Sequence, residues 1–174
     1  MRKRDAIKQG HERAVADQLL DVLRISATFE RNGDPDKNEP DVIYKIDGKA
    51  VGIEVATAYY ENSDAQDATE IAPGERPLAT AEIRARSGGI LKSPDRMICA
   101  RIQGELDDKC GKKYASADET WLCINQYAPL SDAKSVEVCV KTLKVAAKHE
   151  FARIYLTYTA PTHEGGGYKS VQIF

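Results

Sequence analysis

"EPDVIYKIDGKAVGIEVATAYY", residues 39–60, contains two short alternating apolar runs that meet at Asp47-Gly48. Asp-Gly between alternating hydrophobics is a strong local signal for a two-residue hairpin, so residues 41–46 and 49–58 are expected to pair as antiparallel strands. With Asp47 and Gly48 in the loop, Ile46 faces Lys49 and partner numbers sum to 95, which sets Asp41 opposite Glu54. Val42, Tyr44, Ile46, Val51, Ile53 and Val55 fall on one face, which reads as the core. The two acids share the other face with Ala50, Gly52 and Ala56, whose small size is expected to leave space beside them. Like charges opposed across a strand pair destabilise a sheet, so the pair needs a compensator. A divalent cation is the natural one, because Mg²⁺ takes oxygen ligands and is commonly held by one or two carboxylates with waters and phosphate oxygens.

Upstream, residues 7–24 read as an amphipathic helix with Ala16, Leu19, Leu20 and Leu23 at helical spacing. Glu12 lies one turn before Ala16 on that stripe and so faces the sheet as a third inward acid. The Asn-Gly, Pro and Asp content of residues 31–40 marks a loop. Downstream, residues 61–94 are polar and punctuated by "APGERP" and "SGG", with a short helical pattern over "LATAEIRAR", and read as an insertion or flap. Residues 95–114 are helical, with Ile98, Ile102 and Leu106 aligned, and "TWLCINQY" is the continuous apolar run of a buried strand. A further helix over residues 133–150 and two strands, "ARIYLTYT" and "YKSVQIF", complete the chain, the strands joined by a turn at "HEGGGY". The order predicts one α/β domain over residues 1–174, a mixed central sheet flanked by helices.

The 174 residues, 42% hydrophobic and 30% charged, suit one soluble globular domain with its own core. No run approaches the length of a membrane-spanning helix and "MRKRDAIKQGHERAVADQLL" lacks a signal peptide's apolar stretch, so a cytoplasmic setting is expected. Cys99, Cys110, Cys123 and Cys139 stand in no metal-binding spacing and are expected to be reduced structural thiols. A net charge of -2 offers no global attraction for nucleic acid, which leaves local patches to supply it. The phosphate-binding loop, dinucleotide fingerprint and nucleophile elbow are absent, and His11, His149 and His163 form no metalloprotease frame.

The hairpin acids resemble the signature of the PD-(D/E)XK nuclease superfamily. Pro40-Asp41 matches the first half, Ile53-Glu54-Val55-Ala56 the second, and Glu12 stands where many members carry an acid on the first helix. The likeness extends over roughly residues 7–128, through the lysine-rich helix and buried strand after the motif. It implies a restriction-endonuclease-like fold and Mg²⁺- or Mn²⁺-dependent phosphodiester hydrolysis. Asp41, Glu54 and the Val55 carbonyl would be metal ligands, and Glu12 a ligand or supporting acid. The partner it implies is nucleic acid, DNA before RNA, with a homodimer as an open state. Tyr59, Tyr60, Arg76, Arg84, Arg86 and Lys92 would contact the nucleic-acid backbone.

The family lysine is replaced by Ala56. Lys45 shares the face of Asp41 but lies about 13 Å along the strand, too far to substitute. Lys109, Lys112 and Lys113, on or just beyond the following helix, are the candidates, with Lys109 taken as the catalytic one. The alternative is a catalytically degenerate nuclease-fold module that binds nucleic acid or a protein partner without turnover.

Overall fold

A computed structural model describes residues 3–59, 94–115, 117–127, 132–161 and 164–174. The chain runs α1 (Lys3–Leu23), β1 (Thr28–Asn32), a 3-10 turn (Pro35–Lys37), β2 (Val42–Ile46), β3 (Lys49–Tyr59), α2 (Pro94–Cys110), β4 (Glu119–Tyr127), α3 (Ala133–Thr142), β5 (Arg153–Thr159) and β6 (Tyr168–Gln172). The insertion read over residues 61–94, with Tyr60 and its basic residues, lies outside the described residues apart from Pro94, which opens α2.

The six strands form one mixed sheet in chain order, β1 to β6. β3, β4 and β5 run parallel to their neighbours in that trio, and the outer pairings are antiparallel. Parallel neighbours need a crossover, and α2 and α3 fall in the β3–β4 and β4–β5 connections. Both helices pack on one face, where Ile98, Ile102, Leu106 and Val136 meet Ala56, Leu122, Ile124 and Leu156. α1 covers the other face, burying Ala16, Leu19 and Leu20 against Val42, Ile53, Val55, Trp121 and Cys123. The central strands are thus covered on both sides, which explains the unbroken apolar run of β4.

The hairpin forms as expected, with the register Val42↔Ile53 through Ile46↔Lys49. Its loop residues Asp47 and Gly48 both have positive φ, 49° and 84°, as the tight hairpin turn requires. The α1-facing set of apolar residues matches the expectation; the acids' face differs, because it too is a core face, roofed by α2 and α3.

Three elements depart from the sequence reading. β1 occupies part of what reads as loop; it is a polar edge strand with a bulge between Phe29 and Arg31, so it lacks the apolar alternation that marks buried strands. The helix expected over residues 133–150 ends at Thr142, where Leu143 turns extended and Gln103 of α2 holds Lys144 by two backbone hydrogen bonds of 2.9 and 3.0 Å. Cys99 of α2 and Cys139 of α3 form a disulfide, their Cα atoms 5.5 Å apart, which corrects the expectation of four reduced thiols. Cys110 and Cys123 are the buried free thiols. No helix among the described residues is long and apolar enough to cross a membrane.

Candidate functional site

Pro40 ends the β2–β3 ladder, since it has no N–H to pair, and a side chain takes over the next step. Asp41 stands in a bend just before β2, and its Oδ2 accepts the Val55 N–H at 2.9 Å. Two glycines hold this corner in place. A Cβ at Gly33 would lie 1.8 Å from the Pro40 carbonyl oxygen, and one at Gly52 would lie 2.4 Å from Pro40 Cγ. The room expected at Gly52 is therefore filled by the Pro40 ring, and the small residue serves to seat the Pro-Asp corner. Gly33 N–H donates to the Asp41 carbonyl at 2.9 Å, and the Arg31 guanidinium grips Glu39 to pin the loop from outside.

Glu54, central in β3 and only 6% exposed, points to the α2 face. Lys109 in the last turn of α2 reaches down to it, with Nζ 2.6 Å from Oε1 and the two side chains 16% and 7% exposed. Ile98, Ile102 and Leu106 are buried at four-residue spacing, and Lys109 comes one further turn along that inner stripe. Lys112, by contrast, pairs with Asp108 on the surface at 2.6 Å, and Lys113 is exposed. A lysine thus stands at the acid pair although position 56 is alanine. Among the described residues, no lysine or arginine makes an ion pair with Asp41.

Glu12 approaches Asp41 from α1, its side chain 13% exposed and paired to Lys8 at 3.0 Å. Lys8, Gln9 and Glu12 face Gly33, Glu39 and Asp41 across a cavity of about 150 Å³. The structure brings Glu12, Asp41, Glu54 and Lys109 into one electrostatic neighbourhood, and Val55 joins it through its N–H.

Among the described residues, burial and mutual repulsion outweigh the positive charge near the acids. Burial, reinforced by the Glu12 charge, raises the Asp41 carboxyl to about 6 against the pull of Val55 N–H, Lys109 and Lys8. Burial and the Asp41 charge likewise raise Glu54, opposed by Lys109. Burial works against the Lys109 ammonium too, but the Glu54 carboxylate outweighs it and holds its proton more tightly than usual.

Sequence reasoning missed Tyr114. It follows α2 in an extended segment tied down by Ala115 N–H to the Asn38 carbonyl at 2.9 Å and by its own N–H to Glu150 at 2.9 Å. Its hydroxyl lies beside Glu54, within reach of the carboxylate's charge, which together with burial raises its pKa. The hydroxyl favours the Glu54 carboxylate's charge as a donor would, at a geometry short of a full hydrogen bond. It and Asn32 Oδ1 are the buried side-chain polar atoms without a partner among the described residues. Asn32 holds Gln9, a cavity-lining residue, through Nδ2 at 3.3 Å.

No protein-family model matches the chain, and no curated protein or solved structure matches it.

A divalent cation fits this donor set in its chemistry. Two buried carboxylates with raised proton affinity, one with an oxygen spent on a backbone N–H, form an oxygen-donor site where the β2–β3 ladder ends. Among the described residues, no three His, Cys, Asp or Glu side chains are grouped to hold a metal by themselves. Such an ion would complete its shell with water, backbone carbonyl or substrate oxygens, as Mg²⁺ commonly does.

Proposed function

We propose that the chain is a divalent-metal-dependent nuclease of restriction-endonuclease-like fold that hydrolyses phosphodiester bonds, with DNA the preferred substrate. The observation that carries this is Lys109, brought by α2 to within 2.6 Å of Glu54 and largely buried there. A catalytic role asks for a cation beside the acids, and the tertiary fold supplies one from a different element than the strand that usually provides it. This weakens the alternative of a degenerate binding module as far as it rests on Ala56; its other support, the net charge of -2, is unaffected.

In this reading Asp41 and Glu54 hold Mg²⁺ or Mn²⁺, the Val55 carbonyl can add a ligand, and Glu12 supports from α1. The bound ion supplies charge neutralisation at the scissile phosphate and a more acidic water. Lys109 holds a proton through the physiological range, so it acts as a fixed positive charge. Released from Glu54, its ammonium stabilises charge that develops on the phosphate oxygens as water adds to phosphorus and the leaving oxygen departs. Asp41 is held in line by Val55 N–H, and the Pro40 corner limits its movement. The proposal sets the chain in the cytoplasm.

The test is cleavage of single- and double-stranded DNA and RNA with Mn²⁺ by wild type, Asp41→Asn and Glu54→Gln, with folding checked by circular dichroism. Each variant is expected to lose cleavage by about a thousand-fold or more while staying folded. Cleavage that survives both substitutions sinks the proposal. A folded wild type that binds nucleic acid but cleaves none of the four substrates returns the weight to the binding module.

A further inference from the structure

Two features of the acid cluster are incomplete in the ion-free chain. Lys109 is committed to Glu54 Oε1, yet the proposed chemistry requires it to turn toward a phosphate. Tyr114 presents a buried hydroxyl beside Glu54, close enough to favour the carboxylate's charge but short of a fully formed hydrogen bond. A buried hydroxyl short of a full hydrogen bond is unfavourable and uncommon. Carboxylates that bind a metal are usually steadied by a hydrogen-bond donor from outside the ligand shell.

We propose that Tyr114 is a positioning residue for Glu54, its hydroxyl donating to the carboxylate once a divalent cation has drawn that carboxylate away from Lys109. The inference rests on the ion site argued above. It assigns Lys109 and Tyr114 alternating tasks. Without an ion, Lys109 neutralises Glu54. With an ion held by the acids, Lys109 would be free to turn toward the substrate and Tyr114 would fix the carboxylate. A tyrosine hydroxyl is a neutral donor, so it would add no second charge next to the ion. Its ring is located independently, 5.2 Å from that of Phe151, and its backbone N–H is held by Glu150. Ser or Thr at position 114 would lack the reach.

The experiment is calorimetric titration of the metal alone, Mn²⁺, into wild type and Tyr114→Phe, with thermal melts of both proteins in chelator and in saturating Mn²⁺. Phenylalanine keeps the ring against Phe151 and deletes only the hydroxyl. The expected result is an unchanged Tm in chelator, Mn²⁺ affinity weakened roughly ten- to a hundred-fold, and a smaller Mn²⁺-induced rise in Tm. Equal affinities overturn the role of Tyr114 and leave the ion site standing. A Tm in chelator lowered by several degrees shows that the hydroxyl supports the ion-free fold, which also overturns it. Absence of saturable Mn²⁺ binding to the wild type overturns the ion site itself, and the inference with it.

Discussion

Two polar clusters are buried in the same sheet and are built on opposite plans. At the β4–β6 side, Asn125, Thr157 and Tyr168 form a neutral group. The Tyr168 hydroxyl lies 2.7 Å from Asn125 Oδ1 and 2.8 Å from Thr157 Oγ1, and Thr157 also reaches the Ile124 carbonyl at 3.4 Å. At the β2–β3 side, Asp41, Glu54, Lys109 and Tyr114 form a charged group with raised carboxyl pKa values and a hydroxyl short of a full hydrogen bond. The first cluster satisfies its members among themselves, which is what a structural network requires. The second is satisfied only in part, and it is the one beside a cavity. A closed neutral network stabilises a fold; a charged network with an unmade bond points to something it is built to receive.

After the loss of cleavage expected for the acid variants, the largest effect belongs to Lys109→Met. Removing the cation leaves Glu54 buried and uncompensated, and urea denaturation at pH 7.5 should show a loss of about 3–5 kcal/mol. The loss should shrink in acid, where protonated carboxyls no longer need the ammonium. A stability equal to wild type at pH 7.5 breaks the comparison, because the cluster would then carry no buried charge.

Asp41→Asn should move stability the other way. A carboxyl held at about 6 rather than its ordinary 3.8 is destabilising when charged. At about 1.4 kcal/mol per pH unit, the amide should stabilise the fold by at most about 3 kcal/mol at pH 7.5. The sign follows from proton binding: between about pH 4 and 6 the folded state holds a proton that the unfolded state has released. Stability contributed by Asp41 is therefore highest in acid and falls as pH rises through that window. The advantage of the amide should vanish below about pH 4, as denaturant melts across pH would show, and Asn can still accept the Val55 N–H. A destabilised Asp41→Asn at pH 7.5 would make Asp41 a structural anchor instead.

Smallest in stability, but sharpest as a contrast, are the two Tyr→Phe substitutions. Tyr168→Phe should cost about 1–2 kcal/mol, since it opens a satisfied network, and should leave Mn²⁺ binding untouched. Tyr114→Phe should do the reverse. Melts and titrations of the two variants side by side read this directly, and matching behaviour would erase the distinction between the clusters.

Much of this was legible in the chain. The Asp47-Gly48 turn fixed the hairpin register, and with it the adjacency of Asp41 and Glu54, because a two-residue loop admits one pairing. The stripe Ile98, Ile102, Leu106 points both Lys109 and Lys113 inward, and only the end of α2 at Cys110 separates them. Tyr114 carried no such mark. It lies outside any periodic element, sixty positions from Glu54, and reaches it only because the β3–α2–β4 crossover returns the chain there. The Cys99–Cys139 bridge was equally hidden, since it depends on how α2 and α3 lie together.

The sequence by itself determined what is set by local periodicity and turn chemistry: an α/β order of elements, the hairpin and its register, the face each strand residue occupies, and two acids brought opposite one another. The tertiary structure alone decided what lies over those acids. A strand's alternation says which residues share a face, but not which helix covers it; that follows from the parallel crossovers, which laid α2 on the Glu54 side and α1 on the other. Covering the acids with a lysine and a tyrosine from one crossover, and with Glu12 from the opposite helix, turned two adjacent carboxylates into a buried, charge-deficient site.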